Sequence, residues 1–178
     1  VSAQPIAGEV KAAGFADLYR AYARDVYRFA LYLSGDPALA DDITSETFLR
    51  VWLAQEPVRL SSVKAWLFVI ARNLYRHELR HSGRRAPLDP AMPAPDLTAP
   101  SAEGRQRLAR VLGALSAFTE IDRSALLLRV AGFPYAEIAS TLEISIAAAK
   151  VKVHRVRLRL VSLGLGGIEH EHIERHHS

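Results

Sequence analysis

The sequence predicts an all-α chain in two small helical domains joined by a flexible, proline-rich linker. Three observations carry that prediction. Apolar residues recur at steps of three and four, and no stretch alternates as a half-buried strand would. Five of the nine prolines fall between residues 86 and 103, in APLDPAMPAPDLTAPSAE. Past that stretch, two short helical patterns meet at a tight break, and the second, Ser145 to Leu160, holds five cations and no acid.

Each element follows in order. Residues 1–14 are small-residue, Gly and Pro-bearing sequence, and are expected to form a loose tail. From Phe15 the helical period begins, with Phe15, Leu18, Tyr22, Val26, Phe29 and Leu33 on one stripe. Gly35-Asp36-Pro37 breaks it, and Pro37 suits the first turn of the next helix. That helix, Ala38 to Gln55, carries Ile43, Phe48, Val51 and Trp52 opposite an acidic face of Asp41, Asp42 and Glu46, and Pro57 ends it. Ser61 or Ser62 can cap a third helix, SVKAWLFVIARNLYRHELR. These make a first domain over 15–85. Proline fixes φ and lacks an amide donor, so 86–103 reads as an extended linker. A second domain, 104–162, is expected to hold helices at about 105–117, 120–131, 134–141 and 145–161. Gly132 is placed as a C-terminal stop. A tail over 163–178 holds four of the seven histidines.

The totals bound the function. At 178 residues and 49% hydrophobic content, two small cores can be built. The net charge of +4 is modest, but cations concentrate in two segments while acids sit elsewhere. Without cysteine there are no disulfides or thiolate metal sites. No apolar run reaches the roughly 18 residues that span a bilayer, and VSAQPIAGEVKAAG lacks the pattern of a secretory signal. A cytoplasmic protein without stable membrane insertion is the expectation. There is no Gly-rich phosphate loop and no nucleophile constellation, so neither enzymatic activity nor a cofactor is expected.

The acid-free helix names the partner. At about 100° per residue, Ile146, Ala149, Val153, Val156 and Leu160 share one stripe that faces the preceding helices. The opposite face presents Ala147, Ala148, Val151, His154, Arg155, Leu158 and Arg159, with Lys150, Lys152 and Arg157 at the flanks. A bracing helix followed by such a helix is the helix-turn-helix arrangement, whose second helix enters a DNA major groove. Ser145 can cap the N-terminus, where amides favour a phosphate. Val151 suits a thymine methyl, and Lys150, His154 and Arg155 suit base edges. A solvated basic surface helix is the plainer alternative; the paired helix and the short Leu142-Glu143-Ile144 turn weigh against it.

A second basic segment lies at the end of the third helix. Arg72, Arg76 and Arg80 recur every four residues as a ridge, with Asn73 and His77 in the neighbouring row. Arginines supply phosphate contacts, Asn and His can bond base edges, and Tyr75 can stack on an unpaired base. Trp66 and Phe68 are taken as core.

On these residues the chain resembles the extracytoplasmic-function sigma factors, the two-domain promoter-specificity subunits of bacterial RNA polymerase. ALADDITSETFLRVW is similar to the family segment that docks on the polymerase clamp, VKAWLFVIARNLYRHELR to the promoter-melting helix, and FTEIDRSALLLR through HRVRLRL to the helix-turn-helix domain. The resemblance implies core RNA polymerase and promoter DNA, duplex and melted, as partners, and an anti-sigma protein as regulator. It implies polymerase contact by Asp42, Glu46, Phe48 and Arg50, though Phe48 is equally a core candidate. It implies reading of the minus-ten element by Asn73 and His77, with Arg76 and Arg80 on backbone, where the ridge spacing adds Arg72, and base capture by the loop around Val58 to Ser62. It implies minus-thirty-five contact by Lys150, Val151, His154 and Arg155, to which the helical angle adds Lys152 and Arg159; Val151 and Lys152 replace the family's common Ser and Arg. Ser45 stands where the family usually has Gln, Pro134 replaces a capping Ser, and Glu143 sits where Gly is common.

Two alternatives stay open: a sigma mimic that titrates an inhibitor without touching DNA, and a stand-alone helix-turn-helix regulator. His172 and His176, four apart, could share a metal on a helix, but a polar tail is the plainer reading and no metal is assigned.

Overall fold

The computed structural model describes residues 12–54, 62–81 and 101–166. Among the described residues there are seven α-helices and no strand. The chain divides into two units, Val1–Leu88 and Asp89–Ser178, and each is taken by itself.

The first unit holds α1 (Ala12–Ser34), α2 (Pro37–Leu53) and α3 (Val63–His81), each packed on the other two. The start of α1 precedes the expected one by three residues. Its buried face is narrow early and broad late, where Val26, Tyr27, Phe29, Ala30, Leu31 and Leu33 are all buried. The Tyr27 hydroxyl finds no hydrogen-bond partner among the described residues. Burial, with Asp41 and Asp36 nearby, pushes its pKa up to about 12. Gly35 closes α1 at φ 71, its N–H donating to the Leu31 carbonyl at 2.7 Å. That left-handed position suits glycine.

Asp36 then starts α2. Its carboxylate accepts from the N–H groups of Ala38 and Leu39 at 2.9 and 3.2 Å, with Pro37 in the first turn. Thr44 and Thr47 are buried, and their hydroxyls donate to the Ala40 and Ile43 carbonyls one turn back, both at 2.7 Å. Ser62 caps α3 by accepting from the Ala65 N–H at 3.1 Å. Phe68 stacks on Phe29 with centroids 4.6 Å apart. Burial on α3 runs from Ala65 to Tyr75 and stops there.

The second unit holds α4 (Ala102–Ser116), α5 (Glu120–Val130), α6 (Tyr135–Leu142) and α7 (Ile146–Ser162). Helix α4 begins earlier than expected, and Ala102 and Glu103 belong to it rather than to a linker. Ser101 caps it by accepting from the Gly104 N–H at 3.1 Å, and Glu103 favours its positive end. The remainder of the expected linker lies outside the described residues. Helix α7 is central and packs on the other three. Ala149, Val153, Val156 and Leu160 meet Ala125 to Leu128, Ile138 and Leu142 in the core of this unit. Each Val, Leu or Ile side chain among them contributes about 1.5–3 kcal/mol on full burial.

Three helix ends share one stop. After α5, Phe133 N–H donates to Leu128 and Gly132 N–H to Arg129, with Gly132 at φ 97. After α7, Leu165 N–H donates to Leu160 at 2.8 Å and Gly164 N–H to Val161 at 2.9 Å, with Gly164 at φ 70. This paired pattern satisfies the orphan carbonyls and seats an apolar residue against the helix end. Leu165 is accordingly buried, so 163–166 belongs to the folded unit, and the rest of the expected tail lies outside the described residues. The histidines from His170 onward lie outside the described residues. After α6 the same pattern recurs with Glu143 in the glycine position, at φ 56 and ψ 44; Ile144 N–H donates to Ala139 at 3.0 Å.

Candidate nucleic-acid interface

Helix α7 offers a small, open N-terminus. Ser145 Oγ accepts from the Ala148 N–H at 3.0 Å, and Ala147 and Ala148 keep that end slim. The buried stripe leaves Lys150, Val151, His154, Arg155, Leu158 and Arg159 exposed on the other side. Five of the six residues expected there therefore stand on open surface. Lys150 leans over the Tyr135 ring, its Nζ 5.8 Å from the centroid, and the Arg129 guanidinium lies 4.8 Å from the same ring. Cations from α5 and α7 thus both approach the one ring at the start of α6. Ile146, expected in the core stripe, is instead half exposed, because it precedes the first full turn that α5 and α6 cover.

Lys152 is the exception among the six: it is only partly exposed and its cation is engaged inside the unit. Its Nζ lies 3.1 Å from Oδ1 of Asp122, a buried carboxylate on α5, and Arg155 Nη1 lies 3.8 Å from the same oxygen. Thr119, which caps α5, donates to Asp122 Oδ2 at 2.7 Å. Burial alone would raise the Asp122 pKa, but the bonds from Thr119 and Lys152 and the charges of Lys152 and Arg155 outweigh it and hold the carboxyl below 3.8. Lys152 thus acts as a partner inside the unit. Asp122 escaped sequence reasoning; its one local signal is the Thr-x-x-Asp spacing of a capping box.

Helix α3 offers a second basic surface. Asn73, Arg76, His77 and Arg80 are exposed. His77 and His81 stack with centroids 4.0 Å apart, and His81 Nδ1 lies 2.9 Å from the His77 carbonyl oxygen. Arg72 is not part of an exposed ridge: it is buried at 5%. Four residues turn a helix by about 40° beyond a full circle, so a row that starts at the core edge at Arg72 reaches solvent only by Arg76 and Arg80. Tyr75 is buried by the same neighbours and offers no face to a base. Of the loop around Val58 to Ser62, only Ser62 lies within the described residues.

Helix α2 carries a surface of another kind. Asp42 and Arg50 are exposed, and Glu46 accepts from Arg50 Nε at 2.9 Å across one turn. Phe48 is core rather than contact surface, with Phe15 and Tyr19 edge-on to it at 6.3 and 4.9 Å. Leu49 and Leu53, at 49% and 65% exposed, share the open face with Asp42 and Glu46. They escaped sequence reasoning, although by angle they lie about 160° and about 120° from the centre of the Ile43, Thr47 and Val51 stripe. An apolar pair beside acids, with Trp52 half exposed, suits a protein surface rather than a phosphate backbone.

Comparison with known proteins bears on both units. Residues 18–85 match the family model for Sigma-70 region 2, and residues 108–160 the model for Sigma-70, region 4. The chain is 31% identical over 159 residues to the ECF RNA polymerase sigma factor SigM of Bacillus subtilis, covering 87% of this chain and 98% of that one. This chain belongs to the ECF sigma factors. It is also 32% identical over 151 residues to SigE of Mycolicibacterium smegmatis, though it spans only 59% of that relative's length. Among solved structures it is similar to the sigma factor RpoE in complex with the anti-sigma factor NepR from Bartonella quintana, with a TM-score of 0.63, 26% identity, and 84% and 95% of the two chains covered.

In this ECF sigma factor the region 2 match spans most of α1, all of α2 and α3, and four residues beyond. The region 4 match takes in α5 and α6 whole, with most of α4 and α7. Among the described residues no helix is long and apolar enough to cross a membrane.

Proposed function

We propose that this ECF sigma factor binds core RNA polymerase through the open face of α2 and directs it to promoters through two DNA-reading helices. Helix α7 reads an upstream, minus-thirty-five element, with Val151, His154 and Arg155 toward base edges and Lys150 and Arg159 toward phosphates. The exposed end of α3 reads the minus-ten element through Asn73 and His77, with Arg76 and Arg80 on the backbone, and stabilises the opened strand. Polymerase contact comes from Asp42, Glu46 and Arg50, to which the structure adds Leu49 and Leu53 as candidates. The reaction chemistry belongs to the polymerase; this chain contributes position and trapping of unpaired bases. Unstacking costs a few kcal/mol per base, which phosphate and base contacts must offset.

The observation that carries this reading is the division of α7. Its apolar stripe is buried from Ala149 to Leu160, and the cationic face it leaves open starts at a slim, Ser145-capped end. An anti-sigma protein as regulator is supported by the RpoE–NepR complex. The exposure of Lys150, Arg155, Arg76 and Arg80 favours DNA contact over a mimic that only titrates an inhibitor. The test is transcription from a randomised promoter library by core polymerase with and without the protein. Transcripts enriched for two spaced elements are expected; no protein-dependent initiation from any template would refute the reading.

A further inference from the structure

We infer that Asp122 is a specificity-positioning residue for the α7 surface: its carboxylate withdraws Lys152 from the cations that contact DNA and orients Arg155, so that base-dependent contact prevails over uniform attraction to phosphate. This rests on the reading of α7 as the upstream DNA helix.

The two oxygens of Asp122 are divided between two elements. Oδ2 accepts from the Thr119 hydroxyl at 2.7 Å, and the Asp122 N–H donates back to Thr119 Oγ1 at 3.3 Å, which holds the carboxylate at the start of α5. Oδ1 is thereby left to α7, where Lys152 Nζ sits at 3.1 Å and Arg155 Nη1 at 3.8 Å. Lys152 and Arg155 are three residues apart, neighbours on the helix surface whose like charges repel. One carboxylate between them relieves that repulsion and fixes both.

The two cations are not held alike. The Lys152 side chain is 24% exposed and at hydrogen-bond distance, whereas Arg155 is 58% exposed and only at ion-pair distance. Lys152 has three donors around a point charge, and its charge is neutralised within the protein. Arg155 has five donors in a planar fork, so one edge can face Asp122 while the rest stays open to a base. A cation neutralised internally releases no counterion from DNA and adds nothing to non-specific affinity. The carboxylate therefore subtracts a sequence-blind contact and steadies a sequence-reading one.

The test uses holoenzyme reconstituted with core polymerase. Two probes serve: a promoter fragment enriched from a randomised library by this holoenzyme, and the same fragment with its upstream element scrambled. Dissociation constants are measured across a salt series. Asp122→Asn keeps the shape and removes the charge. It is expected to tighten binding to the scrambled probe at low salt, to steepen the slope of log K against log salt by about 0.9 as one phosphate contact is gained, and to cut discrimination between the probes about tenfold. Lys152→Gln is expected to leave the slope unchanged, and the double variant to return the slope to that of the unaltered chain. A merely structural Asp122 would lower stability without steepening the slope. The proposal is overturned if Asp122→Asn changes neither slope nor discrimination, or if Lys152→Gln flattens the slope by about 0.9 as a lost phosphate contact would. Should Asp122→Asn fail to fold, the Lys152→Gln slope decides alone. If instead Arg155→Ala leaves discrimination intact, the underlying reading of α7 falls, independently of the Asp122 result.

Discussion

Helices α3 and α7 both end in exposed cations, yet they are backed differently. On α7 buried residues continue to Leu160, and the chain beyond folds back so that Leu165 is buried too. On α3 burial ends at Tyr75, and among the described residues 76–81 only Glu78 is partly covered. A helix supported along its length presents side chains at fixed positions, which suits the regular edges of duplex DNA. A helix whose last turn and a half stands clear of its core can follow a strand whose shape changes as it opens. On the proposed reading, the same residue types serve different tasks according to what lies behind them.

The largest break in this comparison comes from removing the backing. Leu160→Ala should cost about 2–5 kcal/mol in the second unit, whereas Leu79→Ala, at an exposed site on α3, should stay within about 0.5 kcal/mol. Denaturant unfolding of each variant measures both, and equal effects would erase the distinction. Next, Arg155→Ala should weaken upstream duplex binding by about 1–3 kcal/mol and leave opening of pre-melted templates intact. Asn73→Ala should do the reverse. Duplex binding and permanganate reactivity of the opened strand separate them, and a shared phenotype would merge two surfaces into one.

The acid limb of stability sharpens the contrast further. Asp122 has a lowered pKa in the folded state, so its contribution is complete above its ordinary value of 3.8 and is lost as pH falls through the lower folded value. The second unit should therefore lose stability across that window, and Asp122→Asn should flatten the loss. A variant with an unchanged acid limb would show that the carboxylate is not linked to folding. Smallest is Glu143→Gly. A left-handed residue with a side chain costs roughly 1–2 kcal/mol, and glycine gives back part of that in backbone entropy. A gain of about 1 kcal/mol is expected in thermal unfolding, without effect on α3.

Much of this was legible from local pattern. The stop at Gly35-Asp36-Pro37, the Ser145 cap and the exposed Val151, His154 and Arg155 follow from residue type and helical angle. The misreadings have one origin. Arg72 and Tyr75 are placed outward by spacing and Phe48 is left between contact and core, and all three turn inward because a neighbouring helix covers that angle. Lys152 faces Asp122, thirty positions earlier in the chain, and no local pattern announces such a partner. Leu49 and Leu53 were passed over because apolar residues on a helix are read as core by default.

The amino-acid order by itself determined where helices start and stop and which residues share a face, since caps, turns and the 3.6-residue period depend only on chemistry within a few residues. Only the tertiary structure decided which face is covered and which cation is already neutralised. Those depend on where another helix lies, and helical geometry alone does not say how far around the axis its neighbour extends.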